Sequence, residues 1–269
     1  MKTAEEIVTL RRVVIDRFHP LNRVPTVTIN MDARVEAAIA LKDRLKTDPR
    51  SKSAKVTLNH IVLKATAGAL RHHMFFNHDF DGRSRVYENS SIDIRSPVDF
   101  GDFPVHVVVP ETDKKDLFEI AGAFAGRQDE MRRKVGELMT KYRDFRKNHP
   151  LRSAAFSAAV SIARSTMPYV PPLQKRWFDL QHRMMGTFMV TNMGTLGVID
   201  CHGQLVRPSI GALLVLAIKD VVELDDVVPI VRRYLPLALE FDNRVTDAEA
   251  ASAFLLEIKR NIEEPDRLI

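Results

Sequence analysis

The sequence predicts a single α/β domain, and three observations carry that reading. Stretches of strand-type alternation are interleaved with stretches of helical apolar spacing along the chain. A length of 269 residues, 45% hydrophobic and 28% charged, suffices to bury a sizeable core, in one domain rather than two. No internal repeat or low-complexity tract divides it.

The elements follow in order. Val24-Pro25-Thr26-Val27-Thr28-Ile29-Asn30-Met31-Asp32 alternates β-branched or apolar residues with polar ones, which predicts a half-buried strand. Helical spacing takes over from Val35 through Ala38, Ile39 and Leu41 to Leu45, and stops at Thr47-Asp48-Pro49-Arg50-Ser51. A second helix is predicted over 57–70, where Leu58, Ile61, Val62, Ala65 and Ala69 share a core-facing side. From Phe75 to Val109 turn residues, including Asp81-Gly82, Glu88-Asn89-Ser90 and Phe100-Gly101-Asp102, punctuate short strands. The last of these, Pro104 to Val109, reads as buried.

Asp113-Lys114-Lys115-Asp116-Leu117 opens a helix, since acidic residues suit a first turn, and the pattern runs beyond Lys134. Ser153 to Ile162 is helical in character, and Met167-Pro168-Tyr169-Val170-Pro171-Pro172 interrupts it because proline lacks the donor and clashes with the preceding turn. Strands are predicted at Thr187 to Thr191, Leu213 to Lys219 and Val231 to Phe241. A final helix from Asp247 to Ile262 is expected to bury Ala250, Phe254, Leu255 and Ile258.

Composition narrows the function classes. Forty Lys and Arg against 35 Asp and Glu give net +5, with the basic residues scattered among acidic ones. Most of that charge reads as solvated surface, and no nucleic-acid partner is expected. The single cysteine, Cys201, excludes an intrachain disulfide, and Cys201-His202 makes no metal pattern, so no metal is expected. The segment Met1 to Ile7 carries acid early and no apolar core of signal-peptide length, and apolar runs such as Ile210 to Ile218 are about half the length that a bilayer needs. A cytoplasmic protein with no transmembrane segment is expected.

The segment Leu239-Glu240-Phe241-Asp242-Asn243-Arg244-Val245-Thr246-Asp247-Ala248 resembles the D-H-R-x-x-D-G signature of the dihydrolipoamide acyltransferases, the catalytic domains of 2-oxo acid dehydrogenase complexes. It is more distantly similar to the H-x-x-x-D-G loop of chloramphenicol acetyltransferase. Three further matches lie in the family's order: Val56 to Ala65 with V-S-x-N-D-x-x-x-K-A, Asp113 to Leu117 with A-D-K-K-S-L, and Thr187 to Gly197 with T-F-T-I-S-N-L-G-x-x-G. Four collinear matches are specific where one alone is weak.

The resemblance implies a chloramphenicol-acetyltransferase-like two-layer α/β sandwich, a mixed sheet with helices on one face, that forms homotrimers. Residues 1–269 would be one acyltransferase-like catalytic domain with a family-atypical insertion at about 139–185, and neither a lipoyl nor a subunit-binding domain is read in them. Coenzyme A or acyl-CoA is implied as substrate, in a channel between subunits. Lipoyl-bearing or dehydrogenase-complex proteins are implied as partners, and larger family cores stack trimers into shells.

By position, Thr191 matches the family hydroxyl that steadies the oxyanion of the tetrahedral intermediate, and a β-branched strand residue is its alternative reading. Asp247 matches the aspartate that holds the active-site loop, and the same residue suits a helix amino terminus. Asn243 stands where the family has its general-base histidine, and a carboxamide has no titratable nitrogen near neutral pH. Ala248 replaces a glycine, so strain or an altered turn is expected there. Among nine histidines, His106 and His202 are the first to inspect as a replacement base. His72-His73 lacks the aspartate-glycine pair that a paired-histidine acyltransferase would need. In the insertion, Lys175-Arg176-Trp177-Phe178 reads either as an amphipathic contact for a membrane, coenzyme or partner, or as packing on the subunit.

Two functions are therefore weighed: a coenzyme A-dependent acyltransferase with impaired or altered catalysis, and a non-catalytic trimeric core or scaffold, a pseudoenzyme, of a multi-enzyme assembly.

Overall fold

The computed structural model describes residues 24–99, 104–167 and 170–269. The expectations placed on Met1 to Ile7, on the Phe100-Gly101-Asp102 turn and on Pro168-Tyr169 lie outside them. The described elements run β1 (Thr26–Arg34), α1 (Glu36–Leu45), α2 (Leu58–His72), β2 (Asp79–Phe80), β3 (Val86–Tyr87), β4 (Ile94–Asp99), β5 (Pro104–Val109), α3 (Leu117–Asn148), α4 (Pro150–Thr166), α5 (Pro171–Met185), β6 (Phe188–Asn192), β7 (Gly211–Val215), β8 (Lys219–Asp225), β9 (Val228–Asp242) and α6 (Ala248–Glu263). Helices and strands thus interleave as the periodicities predict.

One seven-stranded sheet, ordered β1-β9-β7-β6-β4-β5 with β8 also paired to β9, spans the molecule. It is mixed: β4 with β6 and β6 with β7 are parallel, and the other pairs are antiparallel. The 15-residue β9 is the organiser, pairing with β1 along one edge and with β7 and then β8 along the other. Its period-2 pattern separates two faces. Leu235, Leu237, Leu239 and Phe241 enter the main core, while Ala238, Glu240 and Asp242 point to the opposite side.

The predicted strand Leu213 to Lys219 is in fact two strands, and Pro236 supplies the reason. Val215 is level with Leu237 and Lys219 with Tyr234, so the break faces Pro236. Leu216 N–H donates to Pro236 O at 3.0 Å, but proline has no N–H to return the bond, and the ladder resumes only beyond it.

α2 is buried well beyond the single face predicted from its spacing, because α1, α3 and α6 all pack against it. The α6 stripe is Ala251, Phe254, Leu255, Ile258 and Ile262, which corrects the expectation for Ala250. Ala250 is exposed in the helix's first turn, one residue off the apolar face. Phe254 stacks on Phe76 with centroids 4.6 Å apart and meets Phe188 edge-on at 5.8 Å, tying helix to sheet.

Two of the sequence motifs prove to be one joint. Lys64 Nζ, on α2, donates to Asp113 O at 2.8 Å and Lys115 O at 2.6 Å, holding the turn that precedes α3. Asp116 then caps α3, accepting from Glu119 N–H at 2.7 Å while Glu119 accepts from Asp116 N–H at 2.8 Å. α3 continues to Asn148, and α4 ends at Thr166 ahead of the proline cluster.

α5 is fastened to the body of the subunit. Phe178 is buried against Tyr87 with ring centroids 5.2 Å apart, and the His182 ring lies against the carboxylate of buried Asp79 on β2. Gly186 ends the helix at φ 62, where a Cβ would lie 2.4 Å from Asp93 O. Only glycine allows this approach to β6.

His60 offers a test of core electrostatics. Its Nδ1 accepts from Thr57 N–H at 3.2 Å, its ring packs 5.4 Å from Phe124, and burial pushes its pKa down to about 4. The unfolded chain therefore binds more protons than the folded one between about pH 4 and 6.5, so stability falls as pH drops through that window. The slope from this site should approach, at most, about 1.4 kcal/mol per pH unit. Denaturant unfolding at several pH values should show His60→Gln losing that component; an unchanged pH slope would contradict the assignment.

Candidate active site

The candidate loop leaves the end of β9 and runs into α6. Its anchor is Asp242, 1% exposed, whose carboxylate accepts from Arg244 N–H at 3.1 Å, Arg244 Nε at 2.9 Å and Arg244 Nη2 at 2.6 Å. Asp242 O accepts from the N–H groups of Val245 and Thr246, both at 3.2 Å. Arg244 then reaches outward. Its Nη1 donates to Gly82 O at 3.3 Å and its guanidinium lies 5.2 Å from the Phe80 ring centroid. The bond to Asp242 raises the Arg244 pKa further above its ordinary value. The Asp81-Gly82 turn, which punctuates short strands as predicted and joins the antiparallel pair β2 and β3, is therefore the support on which the loop rests.

Asn243 is held between these two residues only by its backbone, N–H to Pro25 O at 3.4 Å. Its side chain is exposed and, among the described residues, takes no hydrogen bond. Asp247 is the amino-terminal cap of α6, its Oδ1 accepting from Ala250 N–H at 2.9 Å. Holding the loop thus falls to Asp242 and Arg244, and Asp247 sets where the helix starts. Ala248 takes the first helical position without the expected strain, since Glu111 and Asp226 are the non-glycine residues of positive φ among those described.

Thr191 lies on β6 between core residue Val190 and Asn192, so its side chain points to the sheet face opposite the core. Asn192 fixes the strand's end: its Nδ2 donates to Asn59 Oδ1 at 3.3 Å and its Oδ1 accepts from Gly194 N–H at 3.0 Å. A Cβ on Gly194 would lie 2.4 Å from Leu216 O, so the turn needs glycine for close approach. The Thr191 hydroxyl takes no hydrogen bond among the described residues.

Register decides whether these groups meet. Thr191 is level with Leu214, and Leu214 with Ala238. Asn243 is therefore two strands across and five residues along, roughly 19 Å away at ~4.8 Å per strand and ~3.3 Å per residue. One subunit brings Asn243 and Asp247 into a single loop and leaves Thr191 towards the other end of the sheet.

Neither of the two histidines singled out for inspection repairs the gap within the chain. His106 is on β5 at the far edge of the sheet, and His202 is an exposed residue 3.8 Å from Asp200. His72 and His73 line an open groove beside the loop with Phe75, Thr246, Asp247 and Ala250, and both grip one carboxylate, Glu257, at 2.5 and 2.9 Å. The sequence reading missed Glu240. Only 2% exposed, it accepts from Gly203 N–H, and burial raises its pKa against the opposing pull of that bond and of His202. Alternation along β9 was the available signal, since it puts Glu240 on the same face as Asp242.

A family model described as the 2-oxoacid dehydrogenases acyltransferase (catalytic domain) matches residues 1–138 and 152–269. The dihydrolipoyllysine-residue acetyltransferase component of the acetoin cleaving system of Bacillus subtilis is 25% identical over 262 residues, 97% of this chain and 55% of that protein. The succinyltransferase component of the 2-oxoglutarate dehydrogenase complex of Rickettsia bellii is 26% identical over 263 residues, 97% of this chain and 55% of its own. The chain thus spans about half the length of these curated relatives, and its match to the Bartonella vinsonii succinyltransferase component covers 20% of that protein.

Among solved structures, the cubic core of the pyruvate dehydrogenase multienzyme complex superposes with a TM-score of 0.68 at 20% identity, over 97% of this chain and 90% of the other. The Azotobacter vinelandii dihydrolipoamide acetyltransferase gives 0.68 at 19% identity, with the same coverage. These likenesses establish the fold.

Removing the Arg244 fork leaves the buried Asp242 carboxylate without its main partner. Arg244→Ala should cost roughly 2–3 kcal/mol, somewhat below the cost of breaking a fully buried pair because the guanidinium is partly open to water. Arg244→Lys should recover only part, having no planar fork. Chemical denaturation of both variants checks this, and wild-type stability in Arg244→Ala would contradict the clamp.

Proposed function

Because the chain belongs to the 2-oxoacid dehydrogenase acyltransferase family, as a catalytic domain of that type, we propose that it binds coenzyme A and an acyl thioester at a site built from Thr191, Asn243 and Asp247. The observation that carries this reading is the held loop: Asp242 and Arg244 fix it while Asn243 presents an unpaired amide between them. Spacing supports it. The serine, histidine and asparagine whose role in the catalytic mechanism was investigated in the Azotobacter acetyltransferase stand at the same sequence intervals as Thr191, Asn243 and Asp247.

The gap of roughly 19 Å within a chain is the second support. A hydroxyl and a loop that far apart form one site only if the loop of one copy faces the strand of another. We therefore assign the working form as a homotrimer, the arrangement the resemblance implies, with the site between neighbours.

In acyl transfer between thiols, the attacking sulfur forms a bond to the thioester carbonyl carbon, the oxyanion collapses, and the carbon–sulfur bond to coenzyme A breaks. The Thr191 hydroxyl would donate to that oxyanion. The attacking thiol must first lose its proton, and the Asn243 amide has no lone-pair nitrogen to receive it. General-base catalysis contributes about 10²–10⁴ in rate, so transfer from a neutral thiol should be slowed on that scale. A thiolate that arrives already ionised escapes the penalty. The same missing base favours a second reading, a trimeric scaffold that organises partners and has ceased to catalyse.

Thiol release from acetyl-CoA with dihydrolipoamide as acceptor tests this. Asn243→His should raise the rate by roughly 10²–10⁴. Thr191→Ala in that background should remove about 10²–10³ of it. No gain from Asn243→His, together with no coenzyme A binding by calorimetry, would overturn the enzyme lineage as a guide to function. Light scattering that returns a strict monomer would overturn the shared site.

A further inference from the structure

The helices from Arg127 to Arg183 carry the chain's charge imbalance. This stretch holds 13 Lys and Arg against 5 Asp and Glu, a net +8, whereas the whole chain is +5. The remainder is therefore net −3, so basic residues scattered among acidic ones still leave a local excess in this stretch. Arg132, Arg133, Lys147, Arg152 and Arg176 are exposed along the stretch.

The same helices expose apolar side chains in register. On α4, Leu151, Ala155, Ala158 and Ile162 recur at i, i+4, i+7 and i+11 and are all exposed, Leu151 at 86% and Ile162 at 63%. Buried Ser153 lies on the opposite side of that helix. On α5, Leu173 and Leu180 flank Trp177 at i, i+4 and i+7; both leucines are exposed and Trp177 is half-buried, while Phe178 turns into the subunit. A helix that packs only within its own subunit directs such a stripe inward; here one stripe faces in and another faces water.

We propose that this helical arm docks on an anionic lipid surface. Cations beside Leu, Ile and Trp on helices of this kind match the chemistry of an interfacial helix, which lays its apolar side into the headgroup boundary and its Lys and Arg against anionic heads. No helix among the described residues is long and apolar enough to cross a membrane, so the arm lies on the surface. Charge also discriminates between occupants. A second copy's arm would bring another +8 against this one, which repels. A nucleic acid would satisfy the cations and leave the Leu151–Ile162 stripe in water.

The full chain should co-sediment with phosphatidylglycerol vesicles at low salt and not with phosphatidylcholine vesicles. Binding should weaken at least tenfold on raising salt to about 0.5 M, as screening shortens the field to a few ångströms. Trp177 is the chain's single tryptophan, so its emission should shift to the blue on binding. Leu151→Glu with Ile162→Glu, both on exposed positions, should keep the wild-type circular dichroism and lose at least tenfold in binding. Arg132→Gln with Arg133→Gln should lose severalfold. No binding to phosphatidylglycerol overturns the proposal. So does undiminished binding by the double glutamate variant, which would assign the affinity to charge alone. A drop in mass of that variant by light scattering would overturn it too, showing that the stripe covers a second copy.

Discussion

The position of the candidate site depends on one buried carboxylate. Asp242 ends the strand that three others pair with, and at 1% exposure its charge is tolerable only because Arg244 supplies a two-pronged partner and a backbone N–H. That fork forces the chain to turn back at once, and the carbonyl of the same residue accepts the next two free N–H groups. The loop is therefore specified from its first residue. Asp247 then needs only to cap α6, which fixes the far end. Asn243, between two determined points, is presented outward with its backbone secured and its side chain unengaged.

Such an arrangement separates scaffold from chemistry. The residues that shape the loop are charged, buried or capping, so changing them disturbs folding. The residue at 243 is exposed and makes no side-chain bond among those described, so exchanging it costs the fold little. An exchange at that point therefore leaves the loop's geometry in place. The buried acid Glu240, on β9, is by contrast covered by Gly203 and faces away from solvent.

Much of this was legible in the residues. Strand alternation at Val24–Asp32, the apolar stripe of the last helix and the proline break after Met167 are local signals, and local physics decides them. The errors were of two kinds. Pro236 splits a strand that is distant in sequence, because the missing donor is felt by its sheet partner near Leu216, and no window around Leu213–Lys219 contains that information. Ala250 and Ala251 differ by one step of helical phase, which the start of α6 sets and apolar counting does not. For the site, motif spacing offered Thr191, Asn243 and Asp247 as candidates, yet the Arg244 contact with the Gly82 turn joins segments 162 residues apart and has no local signature.

The chain also divides electrically. The region that carries the loop, the central strands and the capped helices is net acidic, and the helices from 127 to 183 hold an excess of eight positive charges. Solubility alone would be served by mixing the signs, as the rest of the surface does. Concentrating one sign on helices that also expose Leu151, Ile162 and Leu180 stores unfavourable self-repulsion and unburied apolar area in the same place. Both are relieved together by an oppositely charged surface with an apolar interior, and by neither water nor a like-charged copy. α5 is pinned to the body through His182 and Phe178, so whatever the arm binds is held in a fixed relation to the sheet that bears Thr191.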